Sequence, residues 1–189
     1  MSSSPLRVLF VCTANICRSP FLELYARHRL GSAAVSFSSA GTHGFVDQAI
    51  SDEMRVEATT NWGLDVSAFR SRRLTGDLVD EADLVLTAER RHRQFILDDH
   101  AHAFRKVLTL GQAVRAAAAV SPSDTPEGLL GELARLRGLA EASDDIADPY
   151  RQGAVAQSTA AGQMGAMLDA LRPLLDPLDS SPSRKSAHG

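Results

Sequence analysis

Residues 6–30 read LRVLFVCTANICRSPFLELYARHRL, and the fold follows from how this stretch divides. Residues 6–12 are a compact apolar run, the pattern of a strand buried on both faces. Residues 13–19 turn polar, and Pro20 suits the first position of a helix, where its missing N–H costs nothing. Phe21, Leu22, Leu24, Tyr25 and His28 then recur at helical spacing up to Gly31, a natural helix stop. Strand, short polar loop and helix together make the opening half of a βαβ unit.

Outward from this unit, strands are expected at residues 35–40, 83–87 and 104–110. Helices are expected at 52–62, with Ser51 as N-cap, and at 89–97 and 112–120. The alternation predicts an α/β fold, a mostly parallel sheet with helices on both faces. Such sheets hold ligands where strand carboxyl ends meet helix N-termini, which singles out the loop after the first strand. One domain over residues 6–176 is expected, after a disordered start at 1–5. Inside it, 121–145 reads as a helical insertion whose Leu129, Leu133, Leu136 and Ala140 share a face. A last helix is expected at 154–175 with Pro173 near its end, and then a polar, disordered tail at 177–189.

Composition bounds the function. The 189 residues are 44% hydrophobic and 23% charged, enough to bury a core without staples. A net charge of −3 supplies no global field toward nucleic acid or a membrane surface. Cys12 and Cys17, the only 2 cysteines, are too few for a disulfide framework. No secretory h-region or apolar span is present, so a reducing cytoplasm is expected, with no membrane insertion and no nucleic-acid partner. His100 and His102 could suggest a metal pair but lack a third ligand in sequence and read as surface residues, and Arg90, Arg91 and Arg93 read as a solvated helix face. Neither a metal nor a cofactor is expected.

The loop carries the chemistry. Thr13, Ala14, Asn15, Ile16 and Cys17, wrapped over a helix N-terminus, can turn successive backbone N–H groups toward an anion, aided by the helix dipole. Arg18 can grip two oxygens of that anion bidentately. Cys12 lies at the base of this cradle, where the same field favours a thiolate. A nucleophilic sulfur under a tetrahedral oxyanion is the arrangement for in-line attack on phosphorus. Asn15 tolerates the positive φ a tight nest needs, and the Ser19 hydroxyl is placed to support the sulfur.

The string VCTANICRSP resembles the phosphate-binding loop of the low-molecular-weight protein tyrosine phosphatases. Far downstream, Asp148-Pro149-Tyr150 resembles that family's general-acid motif, and the two together are more specific than either. The resemblance covers about residues 6–175 and implies a flavodoxin-like fold with a four-stranded parallel sheet. It implies a cytoplasmic phosphotyrosine phosphatase in which Cys12 attacks phosphorus, Arg18 and the loop amides bind the phosphoryl oxygens, and Asp148 protonates the tyrosyl oxygen. Its partners would be a phosphotyrosine-containing protein substrate and phosphate or a similar oxyanion. It further implies that Ser39 supports the loop through Asn15, and that Phe45 and Tyr150 wall the cleft.

Three departures stand out. Phe69 sits where relatives commonly carry a histidine of the network behind the loop, Ala88 replaces a frequent methionine, and Arg151 stands where some have a second aromatic. Asp144 and Asp145 are nearby acids that compete with Asp148, though neither precedes Pro-Tyr. Cys17 reads as packing or as a disulfide partner that protects Cys12. Rival functions are arsenate reduction, phosphoarginine hydrolysis and a catalytically weak phosphoprotein reader. The first lacks resolving cysteines near residues 80–90. The second goes with a threonine where this loop has Ile16, and the third is opposed by the intact Cys12, Arg18 and Asp148.

Overall fold

The structure, a computed structural model, describes residues 4–123 and 125–179. Four parallel strands, β1 (Leu6–Cys12), β2 (Val35–Gly41), β3 (Leu84–Thr87) and β4 (Val107–Thr109), form one sheet in the order β2-β1-β3-β4. Phe10 pairs with Ser39 on one side and Leu86 on the other, so β1 is central. β2 and β3 flank β1, which makes its carboxyl end the switch point where a doubly wound sheet opens a crevice.

Alternate residues of β1 face opposite layers. Val8 and Phe10 enter a core built with α1 (Arg18–Leu30), α2 (Asp52–Thr60), α5 (Leu110–Ala117), α6 (Pro126–Leu136) and α7 (Ala154–Asp179). Leu9 and Val11 enter a smaller one with α3 (Gly76–Glu81) and α4 (Arg90–Asp99). This is the α/β sandwich expected, with helices on both faces.

The differences lie at element ends. The expected fourth strand shortens because a 3-10 turn, Ala101–Arg105, takes its first residues. The short helix α3, capped by the Thr75 side chain, has too few residues to show a periodic pattern. In the insertion, α6 starts at Pro126 and buries Leu129 and Leu133 as expected, but it stops at Leu136, before Ala140. The last helix passes both Pro173 and Pro177 and runs to Asp179, so residues 177–179 are helical and not part of the expected tail. Leu174, Leu175 and Leu178 are buried there, and that packing outweighs the lost backbone hydrogen bonds. The remaining tail, 180–189, and residues 1–3 of the expected disordered start lie outside the described residues. No helix is long and apolar enough to cross a membrane among the described residues.

Candidate active site

Residues 13–17 join β1 to α1 as a loop whose carbonyls are tied outward. Those of Cys12, Thr13, Ala14 and Ile16 accept from the backbone N–H of Thr42 (2.9 Å), His43 (2.8 Å), Phe45 (3.3 Å) and Ser51 (2.7 Å). A trans peptide sets the next N–H antiparallel to its carbonyl. The amides of Thr13, Ala14, Asn15 and Cys17 therefore face the opposite, concave side. Asn15 takes the left-handed conformation expected of it, at φ 55°. Gly41 allows the close approach, since a Cβ there would lie 2.7 Å from the Thr13 carbonyl oxygen and 2.8 Å from the Asn15 nitrogen.

A buried polar network stands behind this loop. Asn15 Nδ2 donates to Ser19 Oγ (2.9 Å) and Ser39 Oγ (2.8 Å), and its Oδ1 accepts from the Arg72 N–H (2.8 Å). Ser19 Oγ lies 3.0 Å from Cys12 Sγ. Ser39 in turn donates to Glu23 Oε2 at 2.6 Å. Burial pushes the Glu23 carboxyl up, against the hydrogen bond from Ser39 and the charge of Arg27. Phe69 is buried in the core next to this network. The Asn15 side chain is hydrogen-bonded at both ends without an imidazole there, through the Arg72 amide and the two serines.

Arg18 is 1% exposed and held from several directions. Its Nη1 donates to the Ile146 carbonyl (2.8 Å) and to Glu89 Oε1, and its Nη2 pairs with Asp148 Oδ2 at 3.0 Å. Its buried Nε has no acceptor among the described residues. Burial pushes the Glu89 carboxyl up, but the hydrogen bond and charge of Arg18 outweigh it and hold the group below the ordinary carboxylate range.

Asp148 is brought to Arg18 by a loop pinned at several points. Ile146 N donates to the Ala88 carbonyl (2.9 Å), Arg90 N to Asp145 Oδ1 (2.7 Å), and Gln157 Nε2 to the Pro149 carbonyl (2.7 Å). These contacts also separate the competing acids. Asp145 is engaged by Arg90, and Asp144 is buried under the Arg115 guanidinium at 2.8 and 2.9 Å. Among the three, Asp148 is the carboxylate that meets Arg18.

The sequence profile of the low molecular weight phosphotyrosine protein phosphatases matches residues 7–128. The chain belongs to that family. It is 37% identical over 105 residues to the probable low molecular weight protein-tyrosine-phosphatase EpsP of Ralstonia nicotianae, covering 56% of this chain and 70% of that one. The structure of a low molecular weight protein tyrosine phosphatase from T. tengcongensis superposes with a TM-score of 0.68 at 25% identity, over 88% of this chain and 97% of that one. The YwlE arginine phosphatase from Geobacillus stearothermophilus superposes at 0.70 and 25% identity, over 98% and 99%. The protein is thus a phosphatase, and its phosphoprotein substrate follows from the family.

In this phosphatase a cleft of about 390 Å³ is lined by Cys12, Arg18, Asp148, Phe45 and Tyr150, among others. Both rings are partly open to solvent, Phe45 at 54% and Tyr150 at 38%. The cleft continues past them into a groove floored by residues 48–53. Arg151, at φ 59°, lays its guanidinium 5.1 Å from the Tyr150 ring centroid. Cys17 donates to Gln157 Oε1 at 3.5 Å, and burial pushes its thiol up to about 12, so it stays protonated.

Three residues escaped the sequence reading: Glu23, Glu89 and His92. The buried His92 sets Nε2 2.8 Å from Thr13 Oγ1, and burial holds its ring down at about 4 and therefore neutral. Glu89 and His92 lie at the start of a helix whose arginines suggested only a solvated face, and their partners are remote in sequence. His100 and His102, expected to be no more than surface histidines, are joined in the fold by Asp80.

Proposed function

We propose that this phosphatase hydrolyses phosphotyrosine in cytoplasmic protein substrates by two displacements, with no cofactor. Cys12 Sγ attacks phosphorus while the P–O bond to the ring breaks, and the departing oxygen takes the proton of Asp148. Water, deprotonated by the Asp148 carboxylate, then attacks phosphorus, the S–P bond breaks and phosphate leaves. Arg18 and the amides of residues 13–18 hold the phosphoryl oxygens, and Ser19 supports the sulfur. Phe45 and Tyr150 flank a cleft suited to a flat phosphoaryl group.

The convergence of Arg18 and Asp148 beside Cys12, with the loop carbonyls turned away, carries this reading. The likeness to an arginine phosphatase favours a second one, hydrolysis of phosphoarginine, whereas Ile16 in the loop favours the first. Phosphate release from phosphotyrosine, phosphoarginine and phosphoserine peptides separates them. Turnover is expected on phosphotyrosine, and preferential release from phosphoarginine would replace the proposal by its rival.

Glu89 is a positioning residue in this scheme, acting through Arg18. Glu89→Gln keeps its shape but removes the charge that holds the guanidinium. A loss of about tenfold in kcat/KM, roughly 1.4 kcal/mol, is expected from steady-state kinetics, with most of it in kcat. An unchanged kcat would leave Glu89 as a structural ion pair with Arg18 and Arg91 only.

A further inference from the structure

The third ligand that His100 and His102 lack in sequence is supplied by the fold. Asp80, on α3, comes beside the 3-10 turn that precedes β4, and His102 Nε2 lies 2.9 Å from Asp80 Oδ1. The rings of His100 and His102 have centroids 5.9 Å apart at 82°, and one ligand atom from each of the three residues lies within 4.8 Å of the others. We infer that Asp80, His100 and His102 form a divalent-metal site of the zinc type, which clips α3 to the approach of β4.

Two imidazoles and a carboxylate are a borderline donor set, which suits Zn²⁺ better than the oxygen-seeking Ca²⁺ or Mg²⁺. Zinc–ligand bonds of about 2.0–2.2 Å place tetrahedral ligand atoms about 3.4 Å apart. The 2.9 Å pair therefore has to open by about 0.5 Å and the wider separations, up to 4.8 Å, to close by as much as about 1.4 Å, a movement open to two exposed side chains: His102 is 64% and Asp80 59% exposed. His100 is the fixed post. It is half-buried, and its ring lies so close to Gly76 that a Cβ there would meet His100 Cε1 at 2.9 Å.

Lys106 is the opposing charge nearby. Its Nζ donates to the backbone carbonyls of Asp80 (3.0 Å) and Ala82 (2.8 Å), so it does not occupy the carboxylate oxygens. Three protein ligands leave a fourth position for water. The register puts the site at the amino end of β3, the end of the sheet opposite Cys12, so the clip is structural and separate from phosphate chemistry.

The test is calorimetric titration of untagged, metal-free protein with ZnCl₂. A thiol also binds zinc, so Cys12→Ser is titrated beside wild type, and His102→Ala and Asp80→Asn are made in both backgrounds. One zinc per chain is expected to persist in Cys12→Ser and to weaken by at least about tenfold in each ligand variant. Zinc should raise the unfolding temperature of Cys12→Ser and not of its His102→Ala derivative. Because both ligand side chains are exposed, their variants retain the fold, which circular dichroism checks. Binding that disappears in Cys12→Ser, or that survives undiminished in both ligand variants, would overturn the proposal and leave Asp80–His102 as an ion pair only.

Discussion

Cys12→Ser is expected to abolish turnover of a phosphotyrosine peptide, by at least about 10⁴-fold in kcat. A thiolate is a nucleophile in its own right, whereas a serine hydroxyl has to lose its proton to a neighbouring base. The neighbour here is Ser19 Oγ, 3.0 Å from the sulfur, and a second hydroxyl is no base. The nearby imidazole of His92 is committed to Thr13. The remaining carboxylate of the cleft, Asp148, is paired with Arg18 and has to enter the leaving-group step protonated, so it is poorly placed to serve as that base. Anion binding should survive, because Arg18 and the loop amides are untouched. Single-turnover kinetics and calorimetry with inorganic phosphate check the two halves separately. Residual turnover within tenfold of wild type would remove Cys12 from the reaction and with it the covalent route.

The placement of the candidate site residues was readable to the extent that it is local. Cys12, Asn15, Arg18 and Ser19 lie on one strand–loop–helix passage, whose apolar run, loop residue types and helix start all point the same way. Asp148 was readable because it opens a short motif of its own. What could not be read are contacts that only the sheet order creates. Glu89 reaches Arg18 because β3 lies beside β1, and the same pairing sets His92 against Thr13. Asp80 meets His102 only because α3 and the turn before β4 share an end of the sheet.

Helix ends failed for a different reason. The helix expected to end at 175, just after Pro173, continues through Pro177 because Leu178 buries its side chain beyond it, and a tertiary gain overrides a local cost. The departure at Phe69 likewise changes meaning in three dimensions. Read alone it breaks a polar network, yet Arg72 and Ser39 hydrogen-bond Asn15 and the phenyl ring joins the core. Arg72 stands close to position 69 in sequence, but nothing in its residue type announces that its backbone N–H, rather than its charge, holds the asparagine.

For Asp148→Asn, kcat on phosphotyrosine peptides is expected to fall by about 10²–10³-fold with no rise in KM. Asparagine preserves the shape and the turn that the Tyr150 N–H makes with Asp148 Oδ1, at 3.3 Å, but has no proton to give the departing oxygen. The KM expectation comes from the ion pair with Arg18, 3.0 Å away. A phosphoryl group must compete with the Asp148 carboxylate for that guanidinium, so removing the charge eases ground-state binding while it disables the leaving-group step. The decisive comparison is between leaving groups. An aryl phosphate whose phenol is strongly acidic, such as p-nitrophenyl phosphate, departs with little help, so the loss there should be much smaller than on tyrosine. Equal losses on both substrates would mean that Asp148 shapes the cleft without transferring a proton. Asp145→Asn separates that outcome from simple loop damage, since Asp145 anchors the same loop to Arg90 without meeting Arg18. If Asp148 donates the proton, the Asp145 variant should show no dependence on the leaving group.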